Sequence, residues 1–407
     1  MTSDSIARAL RPRGLLATPA YLRLWFAGGV GNAMRWLELL VAGIFTYDVT
    51  HSTFLVALVT VARSLPMLFA GALAGVIGEA LNRKRILVVQ LLVMAATSLA
   101  LFLLVLFGEV RVWHIIIAGA VNGTVWASEL AVRRRMIGEV VAAGQVTAAV
   151  AFDSLTNSIA RVLGPLIGGA VFESLGLGGA YLLAALAYLA ASLAVVGLEF
   201  RQEPRRLRFS RIAADIAEGI IVARHTPAIL AVVLVSIIMN TFAFSYSALI
   251  APLGIDRFGV SPTLVGALAG AEPLGAIVSG IALSAGWLRL NGRRGLLRGS
   301  LLFLAGVIAM ALSPWYGLAF LLLVIGGLGT AAFSTMQTTL VLTEAPPATT
   351  SRVMGIVTMC IGTGPIGVLA IGLLAERIGA APAILAMAGI GFAGLCWIWT
   401  RLARAPV

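Results

Sequence analysis

Apolar positions dominate this chain in long runs, and polar residues collect in short breaks between them. A helix needs about 20 mostly apolar residues to span roughly 30 Å of hydrocarbon. Twelve stretches meet that need: 22–47, 53–78, 86–107, 113–131, 145–172, 178–198, 228–253, 263–287, 299–313, 317–342, 353–375 and 380–400. The ninth is the shortest. The longest break, RQEPRRLRFSRIAADIAEGIIVARHTP, divides them six and six. The pattern predicts an all-α polytopic membrane protein: an N-terminal six-helix bundle over 1–199, a central loop over 200–227 and a C-terminal six-helix bundle over 228–407. Within the loop, FSRIAADIAEGIIVA has apolar residues at helical spacing. It reads either as a helix lying on the membrane surface or as a solvated linker.

Composition agrees with the pattern. Hydrophobic residues make up 60% of the 407 residues, charged residues 11%, and mean hydropathy is +1.01, outside the balance of a soluble globular chain. The net charge of +12 does not point to nucleic acid, because the basic residues sit in clusters between apolar runs, as membrane topology requires. Of the 29 Lys and Arg residues, twenty-three fall on one side of a twelve-segment path and only Arg111, Arg257 and Arg377 on the other. Arg35, Arg63 and Arg161 lie inside segments. The asymmetry predicts both termini and the central loop in the cytoplasm, in a cell's inner (cytoplasmic) membrane. Cys360 and Cys396 lie in apolar runs and read as small buried hydrophobes. Neither a metal site nor a cofactor is expected. The basic N-terminus is not followed by a short apolar core with a cleavage site, so no cleaved signal peptide is expected.

The two halves repeat. AVFESLGLGGAYLLAALA from Ala170 resembles LLAERIGAAPAILAMAGI from Leu373, with Glu173 and Glu376 each three residues before a glycine, Gly176 and Gly379. NRKR from Asn82 and NGRR from Asn291 each follow the second segment of their half. Parallel halves of this kind are a transporter plan.

Charged residues inside the segments carry the candidate chemistry. They are Arg35 and Glu38 on the first, Arg63 on the second, Asp153 and Arg161 on the fifth and Glu272 on the eighth. Intramembrane charges face protein or a water-filled cavity and pair with one another. Gly31, Asn32, Arg35, Glu38 and Ala42 share one helical face, so Arg35 and Glu38 form a candidate pair. Burial favours a protonated carboxyl and a nearby arginine favours the ionised one. Glu38 is therefore the first candidate to carry a coupling proton, exchanging it as it gains or loses Arg35 or Arg161, with Glu272 and Asp153 next. A static ion-pair network is the competing reading, above all for Asp153, and Glu129 is expected at the interface. Arg35, Arg63 and Arg161 could instead bind an anionic substrate through their fork geometry.

GVIGEALNRKR, residues 75–85, resembles the signature of the major facilitator superfamily through Gly75, Glu79, Arg83 and Lys84, with Ala80 and Asn82 departing from the pattern. RVLGPLIGGA resembles that superfamily's antiporter-associated Gly-Pro motif through Gly164, Pro165, Gly168 and Gly169. Its glycines let helices approach closely and its proline removes a hydrogen bond. Likeness along most of the chain, including LTEAPPATTSRVMGIVTMCIGTGPIGVLAIGLLAERIG, resembles the bacterial drug and siderophore exporter branch, drug:proton antiporters. The resemblance implies two pseudo-symmetric six-helix bundles and a cavity lined by the first, fourth, seventh and tenth helices. Asn122, Asn240 and Gln337 would then line the cavity or make interhelical hydrogen bonds. It also implies a cytoplasmic gate in which Glu79 braces the start of the eleventh segment at Arg352, helped by Arg83 and Arg85.

The implied function is proton-coupled efflux of a small molecule, with protons, substrate and lipid as partners and a monomeric chain. Alternatives are a proton-coupled importer, a transporter of lipid-like substrates, a transport-dead sensor and a membrane enzyme. No GxxxxGK[ST] phosphate loop is present, so direct ATP drive has no support. His51, His114 and His225 lie at breaks or segment ends and form no catalytic motif.

Overall fold

A computed structural model describes residue 15 and residues 17–80, 82–198, 200, 221–288, 290–346 and 349–402. Among the described residues there is no strand. The helices are α1 (Pro19–Thr50), α2 (Thr53–Ala80), α3 (Arg83–Leu106), α4 (Val112–Val140) and α5 (Val146–Val196). After the central loop come α6 (Pro227–Arg257), α7 (Pro262–Ser284), α8 (Gly292–Leu312), α9 (Tyr316–Glu344), α10 (Arg352–Ile378) and α11 (Ala380–Leu402). Gly176 divides α5 into two arms, so a helical stretch stands over each of the twelve apolar segments. Eight of the described helices, α5 counted once, are long and apolar enough by themselves to cross a membrane. Most of the central loop lies outside the described residues, including the proposed surface helix except for 221–223, which are helical.

Local chemistry explains where the helices start and stop. Asn82 caps α3, its side chain accepting from the Arg85 N–H at 3.2 Å, and Asn291 occupies the same position before α8. Pro227 and Pro262 open α6 and α7, where a missing N–H costs nothing. Gly176 (φ 66°, ψ −170°) and Gly379 (φ 86°, ψ 163°) make the two equivalent corners. That backbone region is open essentially to glycine alone, so the repeat read from the sequence carries a conformational requirement. α6 is irregular, widening into π turns at Met239–Ala243 and Leu253–Arg257.

The chain forms two compact units: residues 1–42 with 62–208, and residues 43–61 with 209–407. The exchange of 43–61 differs from a division at the central loop. The ends of α1 and α2 pack within the second unit because polar groups there find partners. Tyr47 Oη donates to the Asp256 carboxylate. Glu376 accepts from Ser52 Oγ at 3.1 Å, Thr53 Oγ1 at 3.0 Å and the Phe54 N–H at 3.0 Å, capping the first turn of α2. Ala57 and Val61 join Ala248 and Val368 in a small apolar core beside them.

Glycine contacts recur in both units. A side chain on Gly123 of α4 would meet the Arg63 carbonyl of α2, and one on Gly327 of α9 would meet the Glu272 carbonyl of α7. Arg63 and Glu272 therefore occupy matching places in the two halves. Gly164 and Gly168 of α5 pack on α1 at Ala33, Trp36 and Leu37, as Gly367 of α10 packs on Thr241 of α6. Close approach without Cβ atoms is how helices associate where lipid supplies no hydrophobic drive between them.

Candidate functional site

The interior of the first unit holds an ion-pair chain across three helices. Arg35 on α1 donates from Nη2 to Glu129 Oε2 on α4 at 2.5 Å, and from Nη1 to Asn32 Oδ1 at 2.9 Å. Arg133, one turn further along α4, donates from Nε to Glu129 Oε1 at 2.9 Å and from Nη1 to the Asp153 carboxylate on α5. Arg133 is 1% exposed, Glu129 5% and Asp153 3%, so the chain is sealed. Gly28 makes this possible: a Cβ there would collide with the Arg133 guanidinium. Glu129, expected at the interface, is instead the centre of the network, because α1 presents Arg35 from one side and its own helix presents Arg133 from the other. Arg35 also lies over the Trp126 ring, 5.2 Å from its centroid.

Glu38 belongs to a different set. Three residues from Arg35 on α1, it turns away and accepts from Ser98 Oγ of α3 at 2.5 Å, Asn122 Nδ2 of α4 at 3.0 Å and Tyr188 Oη of α5 at 3.0 Å. It is 3% exposed. The expected Arg35–Glu38 pair is therefore corrected: Arg35 pairs with Glu129, and among the described residues the partners of Glu38 are neutral donors. Arg161, the other expected partner, lies over the Trp36 ring at 5.5 Å. Arg63 is 6% exposed, and its Nη2 has no hydrogen-bond partner among the described residues.

The two sets differ chemically. Protonating Glu129 would leave Arg35 without its anionic partner and Arg133 with Asp153 alone, a large penalty. Glu38 faces two hydroxyls, which rotate to donate or accept. A protonated Glu38 can donate from Oε1 to Ser98 Oγ, whose own hydrogen then turns to the Met94 carbonyl, while Oε2 still accepts from Asn122 and Tyr188, so either protonation state is satisfied without moving a helix.

Other expected site residues are dispersed. Gln337 on α9 donates to Ser236 Oγ of α6 at 2.6 Å, an interhelical bond, and Asn240 donates to the Ser236 carbonyl of its own helix at 2.8 Å. Glu272 is buried in α7 of the second unit. Pro165 and Gly169 are buried in the first arm of α5, beside the glycines that touch α1. Near the expected gate, Arg83 donates to Glu139 at 2.5 Å and Arg85 is exposed. Gly75 and Glu79 lie on α2, and their side chains are outside the described residues. Sequence reasoning missed Ser98, Tyr188 and the buried Arg133. An isolated serine in the apolar run AATSLALF was the available signal for Ser98, whereas Arg133 was hidden inside a basic triplet.

The profile of a family described as transmembrane secretion effector matches residues 12–405. Macrolide efflux protein A of Streptococcus pyogenes is 22% identical over 338 residues, covering 81% of this chain and 83% of that one. Among solved structures, a bacterial homolog of the human lysosomal transporter Spinster, inward-facing and unoccupied, superposes with a TM-score of 0.71 at 16% identity over 100% of both chains. Nucleoside transporter NupG gives a TM-score of 0.70 at 14% identity, covering 95% of this chain and 100% of that one. These likenesses establish the major facilitator fold.

Proposed function

The chain belongs to the transmembrane secretion effector family, and from that premise we propose that it is a secondary transporter exporting a small molecule in exchange for protons. Glu38 carries the reading. It is a buried carboxyl whose hydrogen-bond partners are satisfied in both protonation states, and it stands beside, but outside, a locked ion-pair chain. Proton loss on the cytoplasmic side and proton gain on the outer side would alternate with substrate binding and release, as alternating access requires. Export is the direction named for the macrolide relative. The basic-residue asymmetry supports an inner membrane with both termini cytoplasmic, and Glu79 with Arg352 remains the proposed cytoplasmic gate of a monomer.

Reconstitution into liposomes with an imposed pH gradient tests the proposal, using a panel of labelled drugs, siderophores and metabolites. Wild type is expected to move at least one of them in response to the gradient, and Glu38→Gln to lose that response while retaining substrate binding. Gradient-independent transport, or a fully coupled Glu38→Gln protein, would remove the assignment.

A further inference from the structure

The second unit carries an exposed basic patch where α8 starts and α11 ends. The two helices pack antiparallel: a Cβ on Gly391 of α11 would meet the Leu304 side chain of α8 at 3.4 Å, and nearer the α8 start Arg298 lies over the Trp399 ring, 6.0 Å from its centroid. The same register places Arg401 level with Arg294. All three arginines are exposed, and none forms an ion pair among the described residues. Glu344, the described carboxylate at this end of the unit, is the exposed last residue of α9 and is not paired with them. Arg401 complements the dipole at the end of α11. Arg294 does the opposite, since it stands in the first turn of α8, where acids are favoured and none is present. Helix stability therefore does not account for the patch.

We propose that the patch binds the phosphate headgroup of an anionic phospholipid, with Arg298 as the central contact and Arg294 and Arg401 flanking it. A guanidinium with one face on an indole keeps its edge N–H groups free for a bidentate pair with phosphate. Depth fits a headgroup: Trp397 near the end of α11 is 58% exposed and Trp287 after α7 is 78% exposed, and exposed tryptophans at helix ends mark the membrane–water interface. Arg294, Arg298 and Leu302 follow one another at intervals of four along α8, so they share a face. Leu302 is 40% exposed, so a headgroup held by the arginines has apolar surface one turn deeper for its acyl chain. Soluble phosphate would gain nothing from that surface. Charge selects among lipids, because three cations without a facing anion favour a net negative headgroup, whereas phosphatidylethanolamine brings an ammonium of its own. Basic pockets between helices at the cytoplasmic surface hold headgroups in this way, and the patch lies at the end proposed above to be cytoplasmic.

Native mass spectrometry of the full-length protein in detergent, titrated with phosphatidylglycerol or phosphatidylethanolamine, tests the site. Wild type is expected to bind phosphatidylglycerol the more tightly. Arg298→Gln should weaken phosphatidylglycerol about 5-fold, the usual attraction of one basic residue to an anionic bilayer surface, and leave phosphatidylethanolamine unchanged. Replacing Arg294 as well should weaken it further. Arg134→Gln, an exposed arginine of the first unit, serves as the control and should bind as wild type does. Equal affinity of wild type for the two lipids overturns the proposal. So does a loss in Arg134→Gln as large as in Arg298→Gln, since the attraction would then be diffuse. Displacement of phosphatidylglycerol by excess inorganic phosphate also overturns it, because the patch would then be a site for a soluble anion. Should Arg298→Gln fail to elute as a folded species, Arg401→Gln decides, and unchanged phosphatidylglycerol binding there overturns the proposal. The measurement involves neither a gradient nor a transported substrate, so its failure leaves the exchange reading standing, and the reverse.

Discussion

Two buried glutamates on neighbouring helices have opposite constraints. Glu129 accepts from two arginines, and Glu129→Gln would leave Arg35 without an anionic partner and Arg133 with Asp153 alone, a loss of about 3–5 kcal/mol for a broken buried pair. Glu38→Gln keeps a carbonyl for Asn122 and Tyr188 and an amide that can donate to Ser98. Thermal unfolding of the purified proteins should therefore show a large drop for Glu129→Gln and a small one for Glu38→Gln. A reversed order would mean that Glu38 is the structural residue. The sequence made Arg35 and Glu38 look like partners because they share a helical stripe. Their partners lie 94 and 60 to 150 residues away, and helical spacing carries no information at that range.

The helices themselves were more legible, because each depends on a local signal: apolar length, an asparagine cap, a proline start or a glycine corner. Gly176 and Gly379 were marked by the repeat, and the structure adds the reason they are glycine. At φ 66° and 86° with extended ψ, Gly176→Ala or Gly379→Ala should each cost about 1–3 kcal/mol, measurable as a lowered unfolding temperature. An unchanged temperature in both would show that the corners relax. The Gly-Pro motif of α5 was legible as a close-packing device, but its target was not. Gly164 touches Ala33 and Trp36 and Gly168 touches Leu37, so the motif supports the turn of α1 that bears Arg35 and Glu38. Gly168→Val should displace that turn and impair transport together with stability, whereas Gly138→Val, with open space around it, should be silent in both.

At the scale of the molecule, the repeat preserves contacts more faithfully than chemistry. Gly123 on Arg63 and Gly327 on Glu272 are the same backbone approach, yet one position carries an arginine and the other a glutamate. The halves therefore share a scaffold while their polar interiors have diverged. Orientation in the membrane follows from charge placed outside that scaffold, with twenty-three basic residues on one side of the path against three on the other, and it can be checked residue by residue. Cys396 is partly exposed, so both native cysteines are first replaced. Single cysteines are then placed at Glu109 and Ser261, in the breaks after α3 and α6, and at Arg85 and Arg294, near the starts of α3 and α8. A membrane-impermeant maleimide added to intact cells should label Glu109→Cys and Ser261→Cys, and should reach Arg85→Cys and Arg294→Cys only after permeabilisation. Labelling of Arg85→Cys in intact cells would invert the topology. The acidic outer compartment would then face the wrong end of the proposed exchange cycle, and export driven by inward proton flow would have to be abandoned.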